Sequence, residues 1–308
     1  MGRLRVILWT FFVLGWFMAA LLGSRSARLL VSKFNEDAKL LNPQNKASWY
    51  GLQTKSDEEE GESTPGWVQL GFDEETEGFV QAAVEKSDRF WLQVYHNLAI
   101  PLLKLFYTQT DVNGFLRRGS MFVLSLEQAR RLLPPGETTY KSLLDLGAGD
   151  GEVTLRLKPL FSQLYATETS SMMRSLLSSK GFKLLEVDSW DSSGPFDAIS
   201  CFNLLDRASS PLSIIRSIKK ALGPNGVLLL ALVYPFRPYV EFGASREPLQ
   251  RLNISTESFA SHVASIVKLF DSEGFKLRTY SRVPYLCEGD LHRSLYSLDD
   301  SIFVFNHA

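Results

Sequence analysis

The chain has 308 residues, 45% of them hydrophobic and 22% charged, enough for one large buried core or two smaller domains. Its 33 basic and 34 acidic residues give a net charge of −1, which argues against a surface that tracks nucleic-acid phosphates. Two cysteines, Cys201 and Cys287, cannot form a disulfide framework, and His96, His262, His292 and His307 are too scattered to give metal-ligand spacing, so no metal is expected.

Arg3 and Arg5 precede an apolar run from Val6 to Leu22, and small residues follow it (Gly23, Ser24, Ser26, Ala27). A basic head before an apolar stretch begins a secretory signal. The run of 17 residues is also at the short limit for crossing a bilayer. Residues 1–23 therefore read as a signal peptide or a membrane anchor. Asn253-Ile-Ser255 is a glycosylation acceptor triplet, compatible with a luminal address. Residues 24–75 contain the acidic run Asp57 to Glu62 followed by Ser63-Thr64-Pro65-Gly66, and read as a poorly ordered linker.

From Thr76 to Thr108 apolar residues recur at helical spacing, with Pro101 expected to end or kink the first helix. Residues 76–135 read as an N-terminal helical cap packed on the main domain, with a membrane-surface role as the alternative. Arg118 lies in a glycine-containing segment before a helix at Leu126–Leu133 capped by Ser125, and can pair with the carboxylate of an amino-acid-like ligand.

Beyond residue 136, strand and helix patterns alternate. Expected strands are Ser142–Leu146, Gln163–Thr167, Phe182–Val187, Phe196–Cys201, Gly226–Val233, Phe275–Val283 and Ser301–Phe305. Helices are expected at Glu152–Leu160, Ser171–Ser179, Pro211–Leu222 and Thr256–Ser272. This order implies an α/β fold, a seven-stranded, mostly parallel sheet with helices on both faces and one antiparallel strand near the end.

The first strand ends in Asp145 and runs into Gly147, Gly149 and Gly151, a strand-to-helix turn of the type that receives a nucleotide. Glu168 closes the second strand, where a carboxylate can accept from both ribose hydroxyls. A dinucleotide site shares that acid, but its fingerprint is Gly-x-Gly-x-x-Gly. Here the spacing is Gly-x-Gly-x-Gly, and Asp145, Asp150 and Glu152 surround the turn. Those acids repel a pyrophosphate and suit a sulfonium and an ammonium, so S-adenosylmethionine is the expected cofactor. Asp188, after the third strand, suits its adenine amino group, with Trp190 near the ring.

Asn203, Asp206 and Arg207 follow the fourth strand. If the acceptor is a neutral imidazole, no strong base is needed first. A carboxylate on its far N–H selects the tautomer, orients the ring and stabilises the developing cation. Asp206 can do this with Asn203 beside it; an N-cap and ion pair with Arg207 is the structural alternative. Tyr285, Glu288, Asp290 and Tyr296 fall between the last two strands and would form an acidic, aromatic loop over the acceptor.

Arg118-Gly-Ser-Met-Phe122, Leu143 to Thr154, Tyr165-Ala-Thr-Glu168, Asn203-Leu-Leu-Asp-Arg207 and Pro284-Tyr-Leu-Cys-Glu-Gly-Asp290 together resemble the DREV family of methyltransferase-like proteins, over roughly Glu77 to Phe305. The resemblance implies a class I Rossmann-like methyltransferase domain at 136–308. It implies transfer from S-adenosylmethionine to the pros nitrogen of histidines in His-x-His tracts, x being small, of protein substrates. It implies a donor held by Asp145, Gly147, Gly149, Glu168 and Asp188, and a substrate imidazole near Asn203, Asp206, Tyr285 and Tyr296. It further implies an address at the endoplasmic reticulum, with mitochondria as a second location. The competing functions are a small-molecule methyltransferase, a non-catalytic binding protein on the same fold, and a dehydrogenase.

Overall fold

The computed structural model describes residues 25–51, 65–134, 140–240 and 246–308. The apolar run Val6–Leu22 and the acidic run Asp57–Glu62 lie outside the described residues. Helices α1 (Arg25–Leu40), α2 (Pro43–Ser48), α3 (Glu74–Asp88), α4 (Phe90–Leu103) and α5 (Gln109–Leu116) lead to a two-residue strand, β1 (Met121–Phe122), and to α6 (Leu126–Leu132). The main domain continues with β2 (Tyr140–Leu146), α7 (Glu152–Leu155), β3 (Phe161–Thr167), α8 (Ser171–Ser179), β4 (Lys183–Leu185) and β5 (Phe196–Phe202). It closes with α9 (Pro211–Ala221), β6 (Leu222–Tyr234), α10 (Phe259–Ser272), β7 (Phe275–Glu288) and β8 (Leu295–His307).

Among the described residues, eight strands form one sheet in the order β1-β7-β8-β6-β5-β2-β3-β4. Strands β4, β3, β2, β5 and β6 are parallel, and β8 and β7 run antiparallel to their neighbours. Strands β2 to β8 are the seven strands of a class I methyltransferase sheet, and β1 adds an eighth at the edge. The central strands are apolar on both faces because helices cover both. On one face Leu144, Ile199, Leu230 and Phe303 pack under Ile215 and Ile218 of α9 and Ile266 and Phe270 of α10. On the other, Leu143, Ala198, Leu229 and Val304 pack under Ala129 and Leu132 of α6 and Leu177 of α8. The chain builds outward from β2 through β3 to β4, then returns to place β5 on the other side of β2. That reversal opens a crevice at the carboxyl ends of β2 and β5.

Several expectations need correction. The stretch 24–75 is not simply a linker. Residues 25–48 supply two helices, and Tyr50 and Leu70 are buried in the core. The Tyr50 hydroxyl is held within hydrogen-bond distance of Thr76 and Gln128, and Trp67 bridges to Tyr280. Pro101 does not end the cap helix; it sits in the last turn of α4. The break falls at Arg89, whose backbone (φ −71°, ψ 81°) leaves the helical region. The expected third strand shrinks to Lys183–Leu185 because only β3 pairs with it.

The largest difference is at the last two strands. Pro284–Asp290 and Tyr296–Asp300 are not a long loop: β7 and β8 pair from Phe275↔His307 to Glu288↔Leu295, with one shift of register between Leu277 and Thr279. Only a short turn remains, closed by Gly289 N–H to Ser294 and Asp290 N–H to Arg293. Pro284 is tolerated because β1 pairs only with Leu286 and Cys287, so β7 is an edge strand at the proline. The cap docks on this hairpin: Phe79, Val80 and Ala83 pack on Phe122, Leu286 and Leu295. Lys86 pairs with Glu288 at 2.5 Å.

Candidate active site

Strand β2 ends at Asp145 and the chain turns through Gly147, Gly149 and Gly151, with φ of +67°, +55° and +78°. These left-handed values are why three glycines stand there. A Cβ on Gly147 would meet Leu204 at 2.9 Å, and one on Gly151 would meet Leu177 at 2.7 Å, so both are packed from behind. A Cβ on Gly149 would meet only the Met121 methyl, at 3.7 Å. The Gly149 side is therefore the open face of the loop.

Glu168, at the end of β3, reaches across to this loop. Its Oε2 accepts from Gly149 N–H at 2.9 Å; its Oε1 accepts from Thr169 and Ser170 N–H at 2.7 and 2.8 Å. A carboxylate offers about four acceptor sites, so room remains on Oε2 for a ribose hydroxyl. Asp145 lies below the loop. It accepts from the Ser200 hydroxyl at 2.7 Å and from the Thr154 hydroxyl. Burial, reinforced by the Glu168 charge, pushes its carboxyl up to about 6. In this arrangement Asp145 ties β2, β5 and α7 together beneath the glycine loop. Asp188 is exposed in the turn after β4. Trp190 is not beside it: the indole is buried in the core with Leu144 and Ile218. Its apolar bulk is better satisfied there than on an open rim.

Arg118 is half-buried in the segment between α5 and β1 and lines a cleft of about 610 Å³ with Ser120, Asp150, Arg156 and Lys180. This cleft runs between the cap and the glycine loop. Asn203 and Asp206 are not among its lining residues.

Those two residues form a second cluster, past the end of β5. Asn203 has φ +51°, a left-handed conformation that asparagine tolerates. Its side-chain amide donates to Asp300 Oδ2 at 2.8 Å. Its Oδ1 is buried and has no hydrogen-bond partner among the described residues. Asp206 is 3% exposed. Its Oδ2 lies 3.2 Å from Arg207 Nε, while its Oδ1 is also buried without a partner. Burial pushes the Asp206 carboxyl up to about 6, against the pull of Arg207. Burial also holds Asp300 well above the usual carboxylate range. Tyr285, on β7, is pushed well up by burial and then by the nearby Cys287, Asp300 and Asp206. Its hydroxyl is directed at the Met121 sulfur, so Tyr285 joins this cluster to the open side of the glycine loop.

Tyr296 stands apart. It shares a sheet face with Asp300 but lies four residues along β8, about 13 Å away at strand spacing. Its hydroxyl donates to Asp290 at 3.1 Å on the hairpin tip. The sequence reading did not single out Asp300, Ser200, Thr154 or Met121 as site residues. Asp300 carried a signal: a carboxylate one residue before the apolar run Ser301–Phe305. His262 is a core histidine, within hydrogen-bond reach of Ser301 Oγ at 3.0 Å and lowered to about 4 by burial. Among the described residues no cluster of metal-ligating side chains occurs.

A strand-order reversal, a left-handed glycine loop under an acid and a buried acidic pocket beside it define a site of the class I methyltransferase type. The sequence matches the model of the DREV methyltransferase family over residues 49–307, and the chain belongs to that family. Solved structures to which the chain is similar include a putative RNA methyltransferase from Pyrococcus horikoshii, with 16% identity, 59% of this chain and 81% of that chain covered, and a TM-score of 0.41. A SAM-dependent methyltransferase from Methanosarcina mazei is 17% identical, covering 57% and 98% of the two chains with a TM-score of 0.40. The N-methyltransferase NodS from Bradyrhizobium japonicum, in complex with S-adenosyl-L-homocysteine, is 15% identical, covering 55% and 79% with a TM-score of 0.37.

Proposed function

We propose that the chain is a protein-histidine methyltransferase that moves a methyl group from S-adenosylmethionine to the pros nitrogen of histidine in His-x-His tracts. The observation that carries the acceptor reading is the pair of buried, unpartnered acceptors, Asn203 Oδ1 and Asp206 Oδ1. A buried acceptor without a donor costs on the order of 1–3 kcal/mol. Two such atoms, one on the residue that Asp300 holds and one on a carboxylate close to Asp300 and Tyr285, call for a ligand that brings N–H groups and tolerates positive charge.

The residues present fit the methyl donor. The open face at Gly149 accommodates close approach, Glu168 retains acceptor capacity for ribose, and Arg118 provides a cation for a carboxylate. Asp188 stands exposed in the turn after β4, where an adenine amino group can reach it. When bound, the donor supplies an electrophilic methyl carbon on a sulfonium.

The chain's own residues act on the acceptor. Asp206 accepts the imidazole N–H remote from the attacking nitrogen. This fixes the tautomer that leaves the pros lone pair free and orients it, and the carboxylate stabilises the charge that grows on the ring. Asn203, held by Asp300, is the second acceptor and sets the ring plane. Once the ring is an imidazolium, Asp206 is placed to take its N–H proton, and its raised pKa suits that exchange. The apolar run Val6–Leu22 supports an address at the endoplasmic reticulum.

The test is incubation of the purified chain with methyl-labelled donor and a peptide panel. Label is expected on His-Ala-His and absent from its His→Gln counterparts and from single-histidine peptides. Equal labelling of every histidine peptide, or of none, would overturn the assignment.

A further inference from the structure

Helix α4 is inside out. Its buried side chains are polar: Gln93 is 3% and His96 4% exposed. Apart from Asn97, its outward side chains are apolar: Trp91 is 80%, Tyr95 54%, Leu98 67% and Leu102 65% exposed. Positions 91, 95, 98 and 102 fall on one helical stripe. The segment just after the helix extends it, with Leu105 at 73% and Phe106 at 82%. A water-facing helix has the opposite pattern, and a patch of this size marks a surface with another occupant.

Three observations identify that occupant. First, the stripe is rich in tryptophan, tyrosine and phenylalanine, the residues favoured at the headgroup boundary of a bilayer. Second, no carboxylate occurs between Asp88 and Asp111, whereas Arg89 and Lys104 flank the stripe, so its charge complements an anionic surface. Third, α1, the helix that follows the apolar run Val6–Leu22 in the sequence, is fixed beside the start of α4. Lys33 of α1 is paired to Asp88 at 2.5 Å, two residues before α4. Eight residues of helix separate Lys33 from Arg25, about 12 Å. At 14 residues α4 is about 21 Å long, too short to cross a bilayer but suited to lie along one.

We infer that Phe90–Tyr107 is an interfacial docking face that seats the cap on an anionic lipid bilayer, independently of the N-terminal run.

The experiment uses the full chain in vesicles of phosphatidylcholine and phosphatidylserine. Leu98→p-benzoylphenylalanine places a photocrosslinker on the stripe, and Glu85→p-benzoylphenylalanine places one on an exposed position of α3. Irradiation is expected to give lipid adducts from position 98 and only background from position 85. In the unmodified chain, the same vesicles should slow amide exchange across 90–107 and leave α9 unchanged. Adducts from position 98 to a second copy of the chain, adducts to the chain's own residues 6–22, or no lipid adduct with unchanged exchange would each overturn the proposal.

Discussion

Replacing Asp206 with asparagine should make the protein more stable and catalytically silent at once. The carboxyl is almost fully buried, and its pKa rises from an ordinary 3.8 to about 6. At 1.36 kcal/mol per pH unit, that gap is worth about 3 kcal/mol. An acid whose folded pKa is raised lowers stability as it ionises in the unfolded chain but not yet in the folded one. The penalty therefore builds between pH 3.8 and about 6 and is complete above 6. Asp206→Asn removes it, less the loss of the Arg207 contact at 3.2 Å. The variant should gain up to about 3 kcal/mol at pH 7.5 and nothing near pH 4. Urea unfolding of wild type and variant at the two pH values measures this. Donor binding by calorimetry should be unchanged, while transfer is lost, because the amide cannot stabilise a cationic ring. A variant less stable than wild type at pH 7.5, or one that still transfers methyl, would refute the reasoning.

Glu168→Ala should weaken donor binding at least about tenfold, since hydrogen bonds to a charged acceptor are worth about 1.5–3 kcal/mol each; calorimetry with the donor alone reads this. Gly151→Val should destabilise the fold by about 1–3 kcal/mol, because a side chain there is strained at φ +78° and strikes Leu177 and Phe182. Thermal denaturation checks it, and an unchanged midpoint would show that the loop is not packed from behind. The turnover rate with saturating peptide should fall below pH about 6 as Asp206 takes up a proton and can no longer stabilise the imidazolium. A rate that stays flat to pH 5 would assign that role elsewhere.

The glycine loop and the acids around it could be placed from the sequence because they are local. Asp145, the three glycines and Glu168 lie within 24 residues, and each follows a strand whose apolar run announces it. Even there the reading was incomplete. Asp145 looked like a ligand contact, and packing shows it bonded to Ser200 and Thr154 beneath the loop. Trp190 looked like an adenine neighbour, but burial in the core is the stronger demand on an indole. The acceptor half depends on pairing between distant strands. Asp300 enters the site only because β8 runs beside both β6 and β7, opposite Val233 and Val283. The polar residues Tyr285, Glu288 and Tyr296 masked that pairing and made a hairpin look like a loop. The same limit separates Tyr296 from the cluster. Its sequence distance from Tyr285 is short, but the hairpin places its hydroxyl on Asp290. Helix α4 shows the converse: its periodicity was plain, but periodicity cannot say which face points inward.

The most direct test of the account is to identify the methylated atom. A His-Ala-His peptide is incubated with donor and either wild type or Asp206→Ala, hydrolysed, and the methylhistidine isomers separated against standards. The account predicts the pros isomer alone from wild type and no methylhistidine from Asp206→Ala, which still binds the donor. The tele isomer, or equal pros product from Asp206→Ala, would contradict it.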